Sequence, residues 1–200
     1  MILLISSFLI RADLVQREFN VGDVHTYRIH VDDDQASPSL TLDYTLWTKC
    51  KKQPSGTTSH PLEIEIRSLK EVSGTLAIRK GRVGIGTLNL DPTGLPLSLR
   101  DSFPAPEFWG PLETFYLPDK VDLERFDVSE GMGASSSLTG KGTIRDSVYN
   151  LDGQIDNSGG SKTTVKLNWT VDDTGWLVSG EGTITEAAGT VHFTIKKDDS

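Results

Sequence analysis

Glu107 and Glu113 flank Trp109, and paired carboxyls beside an aromatic ring are the residue types with which glycosidases cleave a sugar bond. On a short helix their spacing aims them in different directions, which argues against one shared substrate. The histidines at 25, 30, 60 and 192 are the next candidates for acid–base or metal chemistry. His25 and His30 are separated by an odd number of residues, so on one regular strand they face opposite sides and cannot share a metal. His60 precedes Pro61 at an expected turn, and His192 falls on the polar side of an expected strand.

Acidic groups stand at Asp32-Asp33-Asp34, at Asp172-Asp173, at Asp198-Asp199, and at Asp152 and Asp156 around a Gly-Asn-rich stretch. Calcium needs several oxygens converging on one point, and the alternating Asp pattern of an EF-hand loop is missing. Asp172-Asp173-Thr174-Gly175 is read as a hairpin turn between Val171 and Trp176. Ser137-Leu138-Thr139-Gly140-Lys141-Gly142-Thr143 resembles the tail of a phosphate loop, but Ser135 stands where the first glycine belongs and strand-like sequence follows instead of a helix. Gly81, Gly84 and Gly86 reverse the dinucleotide fingerprint and also lack a following helix. No G-x-S-x-G elbow is present. The sequence therefore predicts no catalytic residue, no metal ligand and no cofactor.

The unusual region is the stretch from Pro92 to Pro118, which holds six of the nine prolines. Phe103, Phe108, Trp109, Phe115 and Tyr116 crowd into it, punctuated by Pro104, Pro106 and Pro111. These aromatics either plug a sheet or form the wall of a site for an apolar ligand. Pro106 suits a first helical turn and Pro111 limits its length, so one short helical insertion is predicted near 106–117.

The elements that must carry these residues are strands. Tyr27, Ile29 and Val31 alternate with Arg28 and His30; Leu62, Ile64 and Ile66 alternate with Glu63, Glu65 and Arg67. Val165, Leu167, Trp169 and Val171, and later Val191, Phe193 and Ile195, repeat the pattern. A period of two with one polar face is that of antiparallel strands buried on one side. Gly-Thr followed by an apolar residue recurs at Gly74, Gly86, Gly142, Gly182 and Gly189, and is read as turn chemistry leading into strands.

With 200 residues and a net charge of −8, the chain can bury a sizeable core and offers no basic footprint for nucleic acid. Lys49, Lys51 and Lys52 make one short basic cluster, expected at a solvated strand end. Cys50 is the single cysteine and continues the apolar face of Leu40, Leu42, Tyr44 and Leu46, so it reads as a small core hydrophobe. Met1–Ile10 is apolar but too short to span a bilayer. It is either the remnant of an export signal or a helix or strand packed on the domain. Asn168-Trp169-Thr170 matches a glycosylation sequon inside an alternating strand, which makes Asn168 a polar-face residue.

Three segments in chain order carry a family resemblance: Phe19-Asn20-Val21-Gly22-Asp23 with Tyr27, Tyr116-Leu117-Pro118-Asp119-Lys120-Val121, and Thr170-Val171-Asp172-Asp173-Thr174-Gly175-Trp176-Leu177. Together they resemble uncharacterised bacterial exported β proteins of unknown function, loosely over residues 19 to 180. In those proteins the Leu-Pro-Asp-Lys segment leads into a second Val-x-x-Gly-Asp-x-Trp strand. Phe126-Asp127-Val128-Ser129-Glu130-Gly131 departs from that pattern by lacking the Asp and Trp. The resemblance implies an envelope or secreted location and a curved antiparallel sheet, and it supplies no activity to transfer.

The expected fold is all-β: an antiparallel, strongly curved sheet, half-barrel or sandwich, of about 9–11 strands. The expected organisation is an N-terminal apolar segment at 1–18 and a single β domain at 19–200. Two β halves, 19–91 and 126–197, are joined by the Pro and aromatic connection at 92–125. The expected function is a non-enzymatic envelope or secreted domain that binds an apolar small molecule, a lipid or a partner protein. The alternatives are a carbohydrate-active or other hydrolytic domain using carboxylates near Trp109, and a structural module pairing through a strand edge. The expected location is extracytoplasmic, or cytoplasmic if the N-terminal segment is packed structure.

Overall fold

A computed structural model describes residues 17–35, 38–73, 85–90, 96–100, 121–125, 136–145, 147–157 and 162–198. Their strands are β1 (Val24–Asp33), β2 (Leu40–Cys50), β3 (His60–Ser73), β4 (Ile85–Leu90), β5 (Pro96–Arg100), β6 (Val121–Arg125), β7 (Ser136–Arg145), β8 (Val148–Asn157), β9 (Lys162–Val171), β10 (Leu177–Glu186) and β11 (Gly189–Lys197). They form one antiparallel sheet in the order β5-β4-β3-β2-β1-β11-β10-β9-β8-β7-β6. Sequence neighbours pair antiparallel except β5 and β6, which stand at the two ends of the order. The β1–β11 pair joins the two runs of strands from Tyr27↔Lys197 to Asp33↔Val191.

The all-β antiparallel expectation therefore holds, with a strand count inside the expected range. The strands make one sheet, not the two of a sandwich, and β5 and β6 stand at its opposite ends rather than pairing to close a barrel. No helix occurs among the described residues. The helical insertion expected near 106–117 lies outside them, as does the apolar run Met1–Ile10.

Alternation is the physical origin of the core. β2 is buried at every second residue, and β9 follows the same rule with Val165, Leu167, Trp169 and Val171 turned inward. Tyr27, Ile29, Val31, Leu42, Leu62, Ile64, Phe193 and Ile195 join them in one cluster, each 2% exposed or less. Each such aliphatic or aromatic side chain stabilises the sheet by roughly 1.5–3 kcal/mol through its removal from water. Cys50 is buried in the same cluster, as expected, and burial pushes its thiol up to about 11.

The Gly-Thr reading needs correction. Gly189 does stand at a turn, with a φ of 154° at the start of β11. Gly86, Gly142 and Gly182 lie inside β4, β7 and β10, and Gly74 is outside the described residues. In β10 the reason is packing. A Cβ on Gly180 would lie 1.9 Å from Trp169 Cε3, and one on Gly182 would lie 2.5 Å from Phe193 Cζ. The rings of β9 and β11 thus occupy the space that side chains on β10 would need.

The turn at Asp172 forms as the sequence predicts. Its carboxylate Oδ1 accepts from the Thr174 hydroxyl at 2.6 Å, the Thr174 N–H at 3.1 Å and the Trp176 N–H at 2.9 Å, while Gly175 supplies a φ of 79°. Burial disfavours the ionised form of Asp172, but those bonds and Lys197 outweigh it and hold the carboxyl below its ordinary value. This turn anchors the segment that precedes β1. Glu18 N–H donates to Thr174 O at 2.9 Å, Trp176 Nε1 donates to Glu18 O at 2.8 Å, and Arg17 lies 4.8 Å over the Trp176 ring. Phe19 stacks on His60 at 4.1 Å and meets Trp176 edge-on at 5.5 Å, so one end of the sheet carries an aromatic cap.

Candidate functional site: a polar cleft across the sheet

The same alternation that turns Ile29 and Val31 inward turns His30 and Asp32 outward on β1. On β11 it turns out His192 and Thr194, on β10 Glu181 and Thr183, on β9 Lys166 and Asn168, and on β8 Asn150 and Asp152. Register then assembles these residues into two rungs running perpendicular to the strands. The first is Asn150, Asn168, Glu181, Thr194, His30 and Asp43, each directly opposite the next. The second is Asp152, Lys166, Thr183, His192, Asp32 and Thr41. From β8 to β1 the rungs line an open cleft of about 720 Å³.

Within the cleft, polar groups hold one another. Asn168 Nδ2 donates to Asn150 Oδ1 at 2.7 Å, and Lys166 Nζ lies 3.8 Å from Asp152 Oδ2. His30 sits between two carboxylates, with Nδ1 2.7 Å from Asp43 Oδ1 and Nε2 3.2 Å from Asp32 Oδ2. The Thr41 hydroxyl donates to Asp32 Oδ1 at 2.8 Å. A carboxylate only accepts, so both ring nitrogens are satisfied at once only in the imidazolium. The bond to Asp43 is the main influence raising the His30 pKa, against a smaller opposing effect of burial and with further help from Asp32.

His25, five residues earlier on β1, faces the other side as the sequence predicts. It stacks on Trp176 at 4.2 Å, and its Nε2 is buried without a hydrogen-bond partner. Burial, followed by the Lys197 charge, lowers its pKa to about 4.

Phe103, Phe108, Trp109, Phe115 and Tyr116, the expected ligand wall, lie outside the described residues, as do Glu107 and Glu113. Asp152 falls in the continuous strand β8, where residues of one face are spaced along the strand rather than gathered around a point. No group of three or more His, Cys, Asp or Glu side chains among the described residues is arranged to hold a metal. His30, His192, Asp32, Asp152 and Asn168 stand out singly in the sequence, but their assembly escaped sequence reasoning because they are scattered over β1 and β8–β11. The available signal was the polar half of each alternation, which carries no register.

No protein-family model matches the chain, and no curated protein matches it. Among solved structures, a DUF1329 family protein from Desulfovibrio piger ATCC 29098 is similar at a TM-score of 0.24 and 8% sequence identity, over 90% of this chain and 86% of that one. A likeness at this score bears on neither the site nor the activity.

Proposed function

We propose that this chain is a non-enzymatic binding domain of the envelope or secreted class, and that it takes a small polar ligand in the cleft across β8–β11 and β1. The observation that carries the reading is the cleft itself. Its volume of about 720 Å³ falls within the range of small-molecule sites, and hydroxyl, amide, carboxylate and ammonium groups converge on it. The apolar face across the sheet from it is buried, which favours a polar ligand over an apolar one.

A binding role suits the pairing within the cleft better than catalysis does. His30 is held at both ring nitrogens and Lys166 is matched by Asp152, so neither is poised as a free base or nucleophile.

The test is a thermal-shift and calorimetric screen of the purified protein against monosaccharides, amino acids, short peptides and phosphate esters, with and without Thr183→Trp. Thr183 lines the cleft and is partly exposed, so an indole there fills the site without entering the core. A ligand that binds the parent protein and not the variant supports the reading. A ligand bound equally by both, or no binding across the panel, refutes it. Fractionation of the host cell tests the extracytoplasmic location.

A further inference from the structure

The polar side chains of the cleft divide into committed and uncommitted groups. On β8 and β9, Asn150 bonds Asn168 and Asp152 pairs with Lys166. On β1, His30 lies between Asp43 and Asp32, and Asp32 also accepts from Thr41. Between these two walls stand Glu181 and Thr183 on β10 and His192 and Thr194 on β11. They line the same cleft, and their side chains form no hydrogen bond or ion pair among the described residues.

Strand register gathers the four into one patch. Glu181 is directly opposite Thr194, and Thr183 is directly opposite His192. Directly opposite residues have Cβ atoms about 4.5–5.5 Å apart, and successive residues of one face lie about 6.6–6.8 Å apart along a strand. The patch is thus two residues wide and two deep, which suits a single compact ligand rather than an extended chain. Its floor is fixed from beneath. Gly180 and Gly182 flank Glu181, and on the apolar face the rings of Trp169 and Phe193 fill the space that side chains there would take. A backbone clamped between two strands and two rings leaves little to be ordered when a ligand binds.

The four groups define what they can hold. The Glu181 carboxylate only accepts, at two oxygens; each threonine hydroxyl donates and accepts, and a neutral imidazole does both through its two nitrogens. Carboxylates outnumber cations in the lining, with Asp32, Asp152 and Glu181 against Lys166 and His30, which disfavours a phosphate or carboxylate ligand. An ammonium ion only donates, so it meets Glu181 and leaves the threonine O–H groups without an acceptor. A ligand with several neighbouring hydroxyls supplies donors and acceptors together.

Resting on the reading of the cleft as a polar-ligand site, we propose that its ligand is a neutral monosaccharide held by Glu181, Thr183, His192 and Thr194. Two adjacent sugar hydroxyls donate to the two oxygens of Glu181. The threonine hydroxyls and the His192 ring bond the remaining sugar oxygens, and the paired side chains of β8, β9 and β1 bound the ring on either side.

The experiment is calorimetry with D-glucose, D-galactose, D-mannose and D-xylose, and with glucose 6-phosphate and n-butylamine as charged comparators. The parent protein is compared with Glu181→Gln, Thr194→Val and Thr185→Val. All three replaced side chains are exposed, and a thermal melt of each variant establishes that it is folded. At least one of the four sugars is expected to bind, more tightly than either comparator. Glu181→Gln should weaken that binding about tenfold or more and Thr194→Val about two- to tenfold, as loss of charged and neutral hydrogen bonds does. Thr185→Val, on β10 beyond the cleft, should leave it unchanged. Absence of binding by all four sugars overturns the proposal. So does a sugar bound equally by the parent, Glu181→Gln and Thr194→Val, or tighter binding of either comparator. If an amino acid, peptide or phosphate ester is instead bound by the parent and excluded by Thr183→Trp, the monosaccharide fails and the polar-ligand cleft stands.

Discussion

The aromatic cap at one end of the sheet and the polar cleft on its face are both built around a histidine of β1, and the two rings have opposite acid–base character. His25 lies against Trp176, with burial holding its pKa at about 4. His30 lies between Asp43 and Asp32, which raise its pKa. The covalent chain is the same and the residues are five apart. What differs is the neighbour that the fold brings up: an apolar ring that expels water in one case, and two acceptor oxygens in the other. The cap is buried and aromatic, while the cleft is an exposed surface of paired polar groups.

The contrast can be broken most directly at the cap. Trp176→Ala removes a side chain that is 1% exposed, together with its bond to Glu18 O, its stacking on His25 and its contact with Arg17. We expect a loss of about 3–5 kcal/mol in urea unfolding. A loss below 1 kcal/mol would show that the cap is not structural. Next is Gly180→Ala, whose new methyl would collide with the Trp169 ring and with Asn168 O at 2.5 Å. Its expected cost is about 2–3 kcal/mol, with a slower-exchanging β9–β10 amide region becoming less protected in hydrogen exchange.

The two histidines give smaller effects of opposite sign with pH. His25 has a folded pKa below its unfolded value, so its neutral form contributes stability that is present above about 6.5 and is lost as the pH falls towards about 4. Urea midpoints measured between pH 7 and pH 4.5 should fall, and His25→Phe should flatten that dependence. His30 has a raised folded pKa, so its contribution is fully present below about pH 6.5 and is lost as the pH rises through the folded value. Its ring and its partners are more than two-fifths exposed, so solvent screening limits the effect to about 0.2–1 kcal/mol. His30→Gln should therefore change stability little while removing this rise-with-acidity component. A proton NMR titration of both imidazoles gives the sharper comparison, since His25 should titrate below and His30 above the ordinary value.

Much of the scaffold was legible in the chain. Alternation in Tyr27–Val31, Leu62–Ile66, Val165–Val171 and Val191–Ile195 carries strand type and inward face together, because a strand has a period of two whatever it pairs with. The hairpin at Asp172–Gly175 was readable because its carboxylate cap and its positive-φ glycine are local. Glycine in β10 was misread as turn chemistry, since the reason for it lies in Trp169 and Phe193 on the flanking strands. The cleft was illegible for the same reason. His30 and Asp43 are adjacent only once β1 and β2 pair in one register, and His30 meets Thr194 only through the β1–β11 pairing.

Local residue patterns suffice to specify an all-β chain with one apolar and one polar face per strand, a buried Cys50, and opposite faces for His25 and His30. These follow from local backbone geometry and from the transfer of apolar surface out of water. Pairing between distant segments is what brings the first and last described strands together, joins the polar faces of β8–β11 and β1 in one cleft, and sets His30 between Asp43 and Asp32. Strand order and register arise from contacts between residues distant in the chain, and a period of two is the same for every partner.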